Sequence, residues 1–198
     1  MSGRLGWARA WRSTALIGVA WLTASCVLSE DQRIDQELAQ GRFEVHADAP
    51  AVPLKTPATF AYAQGSTVHL ADNRFDSFEI EGLLRSALAR RLRDLQLTAA
   101  SGAAPDYLVG YLVTANEGAM VAEAMSTIGM PPPKAGEDRE LPVGTLILAI
   151  SEPRANRLLW KGSIVGAIDP ESGPERRQER ADLAVAALLR VLADPADG

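Results

Sequence analysis

Residues 144–165 constrain the fold more than any other part of the chain. Gly144-Thr145-Leu146-Ile147-Leu148-Ala149-Ile150 and Leu158-Leu159-Trp160-Lys161-Gly162-Ser163-Ile164-Val165 are two near-continuous apolar runs. Glu152-Pro153-Arg154-Ala155-Asn156 lies between them and has the composition of a turn. Together they read as the two strands of a β-hairpin. Strands this apolar need cover, and two amphipathic segments offer it. Ile80, Leu84, Leu88, Leu92 and Leu95 recur at helical spacing over residues 78–95, with Arg85, Arg90, Arg91 and Arg93 mostly off that line. Asp76 or Ser77 can supply the N-cap, and Arg93 suits the negative end of the helix dipole. A second helix is predicted over 176–193, where Leu183, Ala187, Leu188, Val191 and Leu192 share a side and Pro195 follows.

Shorter strands complete the pattern. Phe43-Glu44-Val45-His46-Ala47 and Phe60-Ala61-Tyr62 alternate in polarity, and Pro50, Pro53 and Pro57 mark a loop between them. Tyr107-Leu108-Val109-Gly110-Tyr111-Leu112-Val113 is apolar enough for a central strand. The predicted order is strand, strand, helix, three strands, helix. The expected fold class is therefore α+β, a two-layer sandwich. Its mostly antiparallel sheet has about five strands, with two helices on one face. The domain is expected over residues 43–194, and the polar segment 26–42 before it reads as a tether, with at most a helical turn between Ile34 and Leu38.

Residues 1–25 obey a different rule. Arg4, Arg9 and Arg12 are their only charges, and an uncharged, largely apolar run follows. That is the layout of a secretory signal. The uncharged stretch from Ser13 to Ser29 contains several Ser, Thr and Cys residues and is short for a membrane-spanning helix, which needs about 20 apolar residues. Leu22-Thr23-Ala24-Ser25-Cys26 resembles the lipobox of bacterial lipoproteins, although Thr23 departs from the favoured Leu. The resemblance implies cleavage between Ser25 and Cys26, diacylglyceryl transfer to the Cys26 thiol, and acylation of the new amino group, commonly by palmitate. Val27 stands where an Asp would favour the inner membrane in lipoproteins of enterobacterial type, which implies an outer-membrane anchor facing the periplasm. The other reading of Cys26 is a small buried hydrophobe. As the only cysteine, it excludes an intramolecular disulfide.

Charge narrows the partners. Loss of residues 1–25 lowers the basic count from 20 to 17 against 25 acidic residues, a mature net charge of −8. Nucleic-acid binding relies on Lys and Arg against phosphate and is not expected. Polybasic attachment to anionic headgroups is not expected either.

Thr59-Phe60-Ala61-Tyr62, the helix near 78–95, Pro105-Asp106-Tyr107-Leu108-Val109, Gly144-Thr145-Leu146, Leu159-Trp160-Lys161-Gly162 and the helix near 176–193 follow one another in a familiar order. Over roughly residues 43–193 the chain resembles the bacterial lipoprotein group of domain-of-unknown-function family 4136. One departure is a Met-rich connection in place of an aromatic, Gly-rich one. The resemblance implies the fold and brings no biochemical activity with it.

Motifs for chemistry are sparse. No nucleotide loop, Gly-x-Ser-x-Gly elbow or His-Glu-x-x-His helix is present. His46 and His69 are the only histidines and show no convergent metal or catalytic partners in sequence. Asp72, Asp76, Glu79 and Glu81 read as solvated charges that complement a helix N-terminus. Trp160 reads as core, with a stacking platform as the other option. Met120, Val121, Met125, Ile128 and Met130 precede Pro131-Pro132-Pro133, and Val121, Met125 and Ile128 fall on one side of a short helix. Met120, Met125, Ile128 and Met130 are candidate contacts for a partner or lipid, or else part of a mobile hairpin excursion that merely covers the sheet edge. The expected function is a non-enzymatic, lipid-anchored envelope protein with a binding or assembly role, its partners the membrane through Cys26 and an envelope protein or lipid, with no cofactor or metal. The alternatives are a module that binds a small apolar ligand or a lipid, and an envelope hydrolase.

Overall fold

A computed structural model of the chain describes residues 28–48, 50, 52–70, 74–115, 118–131 and 143–193. Ser25, Cys26 and Asp72 lie outside the described residues. The elements run α1 (Glu30–Ala39), β1 (Phe43–Ala47), β2 (Ala58–Tyr62), β3 (Thr67–Leu70), α2 (Ser77–Asp94), β4 (Leu97–Ala99), β5 (Tyr107–Ala115), α3 (Gly118–Thr127), β6 (Val143–Glu152), β7 (Arg157–Ala167) and α4 (Pro174–Ala193).

The predicted hairpin is the spine of the sheet. β6 and β7 pair antiparallel along their length, with a register irregularity between Ile150 and Ser151. β5 adds antiparallel to β6, and β1 adds antiparallel to β7. The expectation of a mostly antiparallel, five-stranded sheet is corrected here: the sheet is open, mixed and seven-stranded, in the order β1-β7-β6-β5-β2-β4, with β3 also on β5. β2 and β3 both run parallel to β5, and β4 runs parallel to β2. Parallel neighbours need a long crossover connection, and α2 supplies it between β2 and β5.

Pleating divides the sheet into two faces. Tyr107, Val109 and Tyr111 of β5, Leu146, Leu148 and Ile150 of β6, and Trp160 and Ile164 of β7 enter one core with α2, α4 and α1. Leu112 and Ile147, on the opposite face, pack instead with Val121, Met125 and Met130 from α3 and its exit. Two helices on one face is thus also corrected: among the described residues three helices lie on one face and a fourth on the other. Trp160 belongs to the main core at 2% exposure. Gly162, two residues on, is needed there because a Cβ would lie 2.8 Å from Leu188 of α4 and 2.9 Å from the Trp160 ring.

Helix ends follow local chemistry. Asp76 caps α2, its carboxylate accepting from the backbone N–H groups of Phe78 at 2.8 Å and Glu79 at 3.4 Å. Gln96, in the left-handed region at φ 60°, turns the chain out of α2. Pro174 opens α4, at a position where a missing N–H costs nothing.

The segment expected to be a tether holds a complete helix. Ser29 and Gln32 form a reciprocal capping box at the start of α1. Ile34 is only 1% exposed and joins the main core, with Leu38 packed beside it. Ion pairs fasten α1 from several sides: Glu30 to Arg91, Arg33 to Glu179, Asp35 to Arg190 and Glu37 to Arg180.

Candidate functional site

The Met-bearing candidates do not form an open contact surface. Met125 is 0% exposed and Met130 is buried, because Val121 and Met125 turn inward onto Ile147. Met120 and Ile128 are half-buried. Gly129, at φ 69°, ends the helix, and Lys161 Nζ donates to the carbonyls of Ile128 at 2.9 Å and Gly129 at 2.8 Å. The same ammonium lies 3.4 Å from the Asp48 carboxylate. This segment covers the sheet face that carries Leu112 of β5 and Ile147 of β6, where an excursion over the sheet edge was the other expectation.

His46 is half-buried on β1, its Nε2 2.8 Å from Glu44 Oε1, and His69 lies exposed on β3. Among the described residues no group of His, Cys, Asp and Glu side chains is arranged to hold a metal.

An apolar concavity lies on the other face, between the helix layer and the sheet. Gly144 of β6 and Gly166 of β7 stand directly opposite each other. Both turn toward the helices, in phase with Leu146 and Ile164, so two side chains are missing side by side. Ile168 lies over the first glycine and the Phe43 ring over the second, so close that a Cβ would sit 2.3 Å and 2.8 Å from them. Ile80 and Leu84 of α2 and Ala181 and Ala184 of α4 close the space above, leaving a cavity of about 170 Å³ with apolar walls.

Charge is confined to the cavity's rim. Arg177 donates to Glu79 Oε1 through Nε at 3.0 Å and Nη2 at 2.8 Å, and also to the Ser172 carbonyl. Arg180 Nη2 donates to the Ala167 carbonyl at 3.0 Å, and its guanidinium lies 4.9 Å from the centre of the Phe43 ring. Glu37 lies 3.5 Å from the same guanidinium. Each arginine therefore has a carboxylate partner, and the opening favours an uncharged apolar group over an anion. Glu79, read from sequence as a solvated charge, instead ties α2 to α4.

Glu81 is likewise engaged. Tyr111 Oη donates to Glu81 at 2.6 Å and accepts from Arg85 Nε at 2.7 Å, while Arg85 Nη2 lies 2.8 Å from Glu81. The Arg85 guanidinium sits 4.7 Å from the centre of the Tyr62 ring. Burial, then the hydrogen bond to Glu81, pushes the Tyr111 hydroxyl above its ordinary pKa. Burial also raises that of Tyr62. Nothing in the local sequence linked these residues, which come from β2, α2 and β5.

The cluster makes stability fall at alkaline pH. A tyrosine pKa raised by folding contributes stability that is complete below the unfolded value of about 10 and is lost as pH rises through the folded value. The expected result is a urea midpoint that drops above about pH 10 and drops less steeply in Tyr111→Phe. At neutral pH the same variant is expected to lose about 0.5–1.5 kcal/mol, the contribution of its hydrogen bonds.

Thr59 and Asp106, in two of the segments that carry the family resemblance, meet at the start of β2 and β5. One Asp106 carboxylate oxygen accepts from the Thr59 N–H at 2.9 Å and from its hydroxyl at 2.8 Å. The Asp106 N–H donates back to the Thr59 carbonyl at 3.0 Å. These bonds hold the Asp106 carboxyl below the usual carboxylate range. A model of the family described as "Domain of unknown function (DUF4136)" matches residues 45–191. The chain belongs to this family.

The DUF4136 match covers every described sheet strand apart from the first two residues of β1, the whole of α2, and α4 as far as Val191. It includes the glycine pair, the cavity apart from Phe43, and the Thr59–Asp106 clasp. Among solved structures, the chain is similar to the PelC dodecamer from Paraburkholderia phytofirmans, at 14% identity and a TM-score of 0.43, over 76% of this chain and 96% of that one. It is also similar to a PDZ domain protein from Parabacteroides distasonis, at 16% identity and a TM-score of 0.47, over 86% of this chain and 41% of that one. A search of curated proteins gave no match.

Proposed function

We propose that this DUF4136 protein is a non-enzymatic, lipid-anchored binding protein of the bacterial envelope. Cys26 carries the anchor, on the outer membrane's periplasmic face, and the cavity under α2 and α4 takes an apolar group of a ligand or partner. The observation that carries the binding role is the apolar cavity between the sheet and helices α2 and α4, rimmed by balanced ion pairs. A cavity of about 150 Å³ lined by aliphatic and aromatic groups stays dry and admits benzene. The space here is of that order, which suits a short alkyl group or one aromatic ring. The anchoring role is supported by the basic leader, the short apolar run and the position of the only cysteine. No helix of the described residues is long and apolar enough to cross a membrane.

Toluene, as an uncharged probe, tests the cavity. Saturable NMR shifts are expected at the methyl groups of Val113, Ala181 and Ala184. Ala184→Leu, which fills the space, is expected to weaken binding at least tenfold while leaving a cooperative thermal transition. A folded wild-type protein that shows no saturable shift with toluene would rule the cavity out as a binding site.

A further inference from the structure

The docked α1 helix leaves almost no leash between Cys26 and the domain. Only Val27 and Leu28 separate Cys26 from Ser29, the residue that caps α1. Three Cα steps reach at most about 11 Å. The headgroup layer on one side of a bilayer is itself about 5–8 Å thick. Ser29 is therefore held at, or within a few ångströms of, the headgroups wherever Cys26 is lipidated.

Glu30 pairs with Arg91 in the last turn of α2, which fixes the end of the domain that this leash reaches. The same end gathers other elements. Leu95 leads from α2 into β4, Ala58 of β2 pairs with Leu97 of β4, and Phe60 pairs with Tyr107 at the start of β5. Leu108 pairs with Ser151, so the β6–β7 turn also lies there. Pro50, Pro53 and Leu54 pack around Leu95 and Leu192, which places their loop at this end too.

Exposed apolar side chains sort in the same way. Leu28, Val52, Phe78 and Leu158 are the large hydrophobic residues left exposed among the described residues. Leu28, Val52 and Leu158 all lie at the leash end, which also carries exposed Arg93 beside Asp94, Arg154, and Arg157 paired with Glu152. Exposed apolar side chains at an end that also carries arginines suit an interface where alkyl stems dip among the lipids and cations stay at headgroup level. Phe78, 87% exposed, is the exception and sits in the first turn of α2 at the opposite end.

We infer that the end bearing Leu28, Val52, Leu158 and the β6–β7 turn rests on the membrane that holds Cys26, and that the apolar cavity opens away from it. This rests on the proposed lipidation of Cys26. Gly144 in the cavity wall and Glu152 at the turn are eight residues apart on β6, which is about 27 Å at strand rise. The group that enters the cavity therefore arrives from the aqueous side, as a soluble ligand or as a segment of another envelope protein. It is not a lipid of the anchoring leaflet.

Lipidation leaves no free thiol, so one added cysteine can be labelled alone. Arg154→Cys at the turn and Glu175→Cys in the first turn of α4, both exposed, each carry a fluorophore. The lipidated proteins are reconstituted in phosphatidylcholine–phosphatidylglycerol vesicles containing a lipid with a nitroxide headgroup, and the intact mass of each sample is recorded. Quenching is expected to be at least threefold stronger at position 154 than at position 175. Equal quenching, or stronger quenching at 175, in protein of acylated mass overturns the orientation alone. Protein of unacylated mass overturns the anchoring, and the orientation with it.

Discussion

Ile34→Ala is expected to lower the free energy of unfolding by about 2–5 kcal/mol, read from urea denaturation, the range for large-to-small changes at closed core sites. The physical basis is specific. Ile34 is 1% exposed and inserts into the main core from a helix whose other faces are polar. Deleting its outer carbons removes most of the apolar burial that holds α1. The ion pairs of α1 cannot replace it, because most of them are solvated and such pairs contribute about 0–1 kcal/mol each. Gln36→Ala, at an exposed position of the same helix, is the control and is expected to stay within about 0.5 kcal/mol of the parent. A parent-like midpoint for Ile34→Ala would mean that α1 is undocked in solution. The leash to Cys26 would then be long enough to release the domain from the membrane surface.

The same helix shows where the sequence was readable and where it was not. Ser29 and Gln32 carry the spacing of a capping box, and Ile34 and Leu38 lie four apart, so the signal for α1 was present. It was outweighed by the polarity of the segment, whose burial depends on one isoleucine meeting a core built from distant residues. α2 and α4 were legible because each repeats its apolar positions over many turns between clear end signals. The β6–β7 hairpin was legible because its partners are adjacent in sequence. β3 and β4, with four and three residues, are too short for a period to emerge. The parallel pairing of β2 with β5 is set by the path of α2 across the sheet and by no local pattern.

The candidate site was less legible still. Gly144 and Gly166 meet in the cavity wall, with Ile168 and Phe43 seated over them, only because register sets them face to face, and register is a property of the pair. Tyr111, Glu81 and Arg85 meet across comparable gaps in sequence. The Met-rich segment drew notice for its composition, yet its helical spacing already placed Val121 and Met125 on one side. That side turned to the sheet.

Cys26→Ala is expected to produce the largest change in behaviour: loss of the protein from washed membranes. Under the proposed anchoring, wild-type protein stays with membranes through high salt and carbonate, at an intact mass of residues 26–198 plus acyl chains. Each buried methylene contributes about 0.8 kcal/mol, and one chain alone holds only marginally, so two or three chains make release very slow. Once residues 1–25 are removed, as proposed, no feature of the described residues supplies a comparable hold. The mature net charge of −8 gives no general attraction to anionic headgroups, and the Leu28, Val52 and Leu158 patch is too small to act alone. The variant is therefore expected to keep its fold, since Cys26 precedes the capping residue of α1, while its membrane fraction falls at least tenfold. Retention of the variant on membranes at an unacylated mass would shift the anchor from Cys26 to the apolar run before it. Solubility of the wild type at an unacylated mass would leave the cavity as the sole basis for a binding role, with no membrane to orient it.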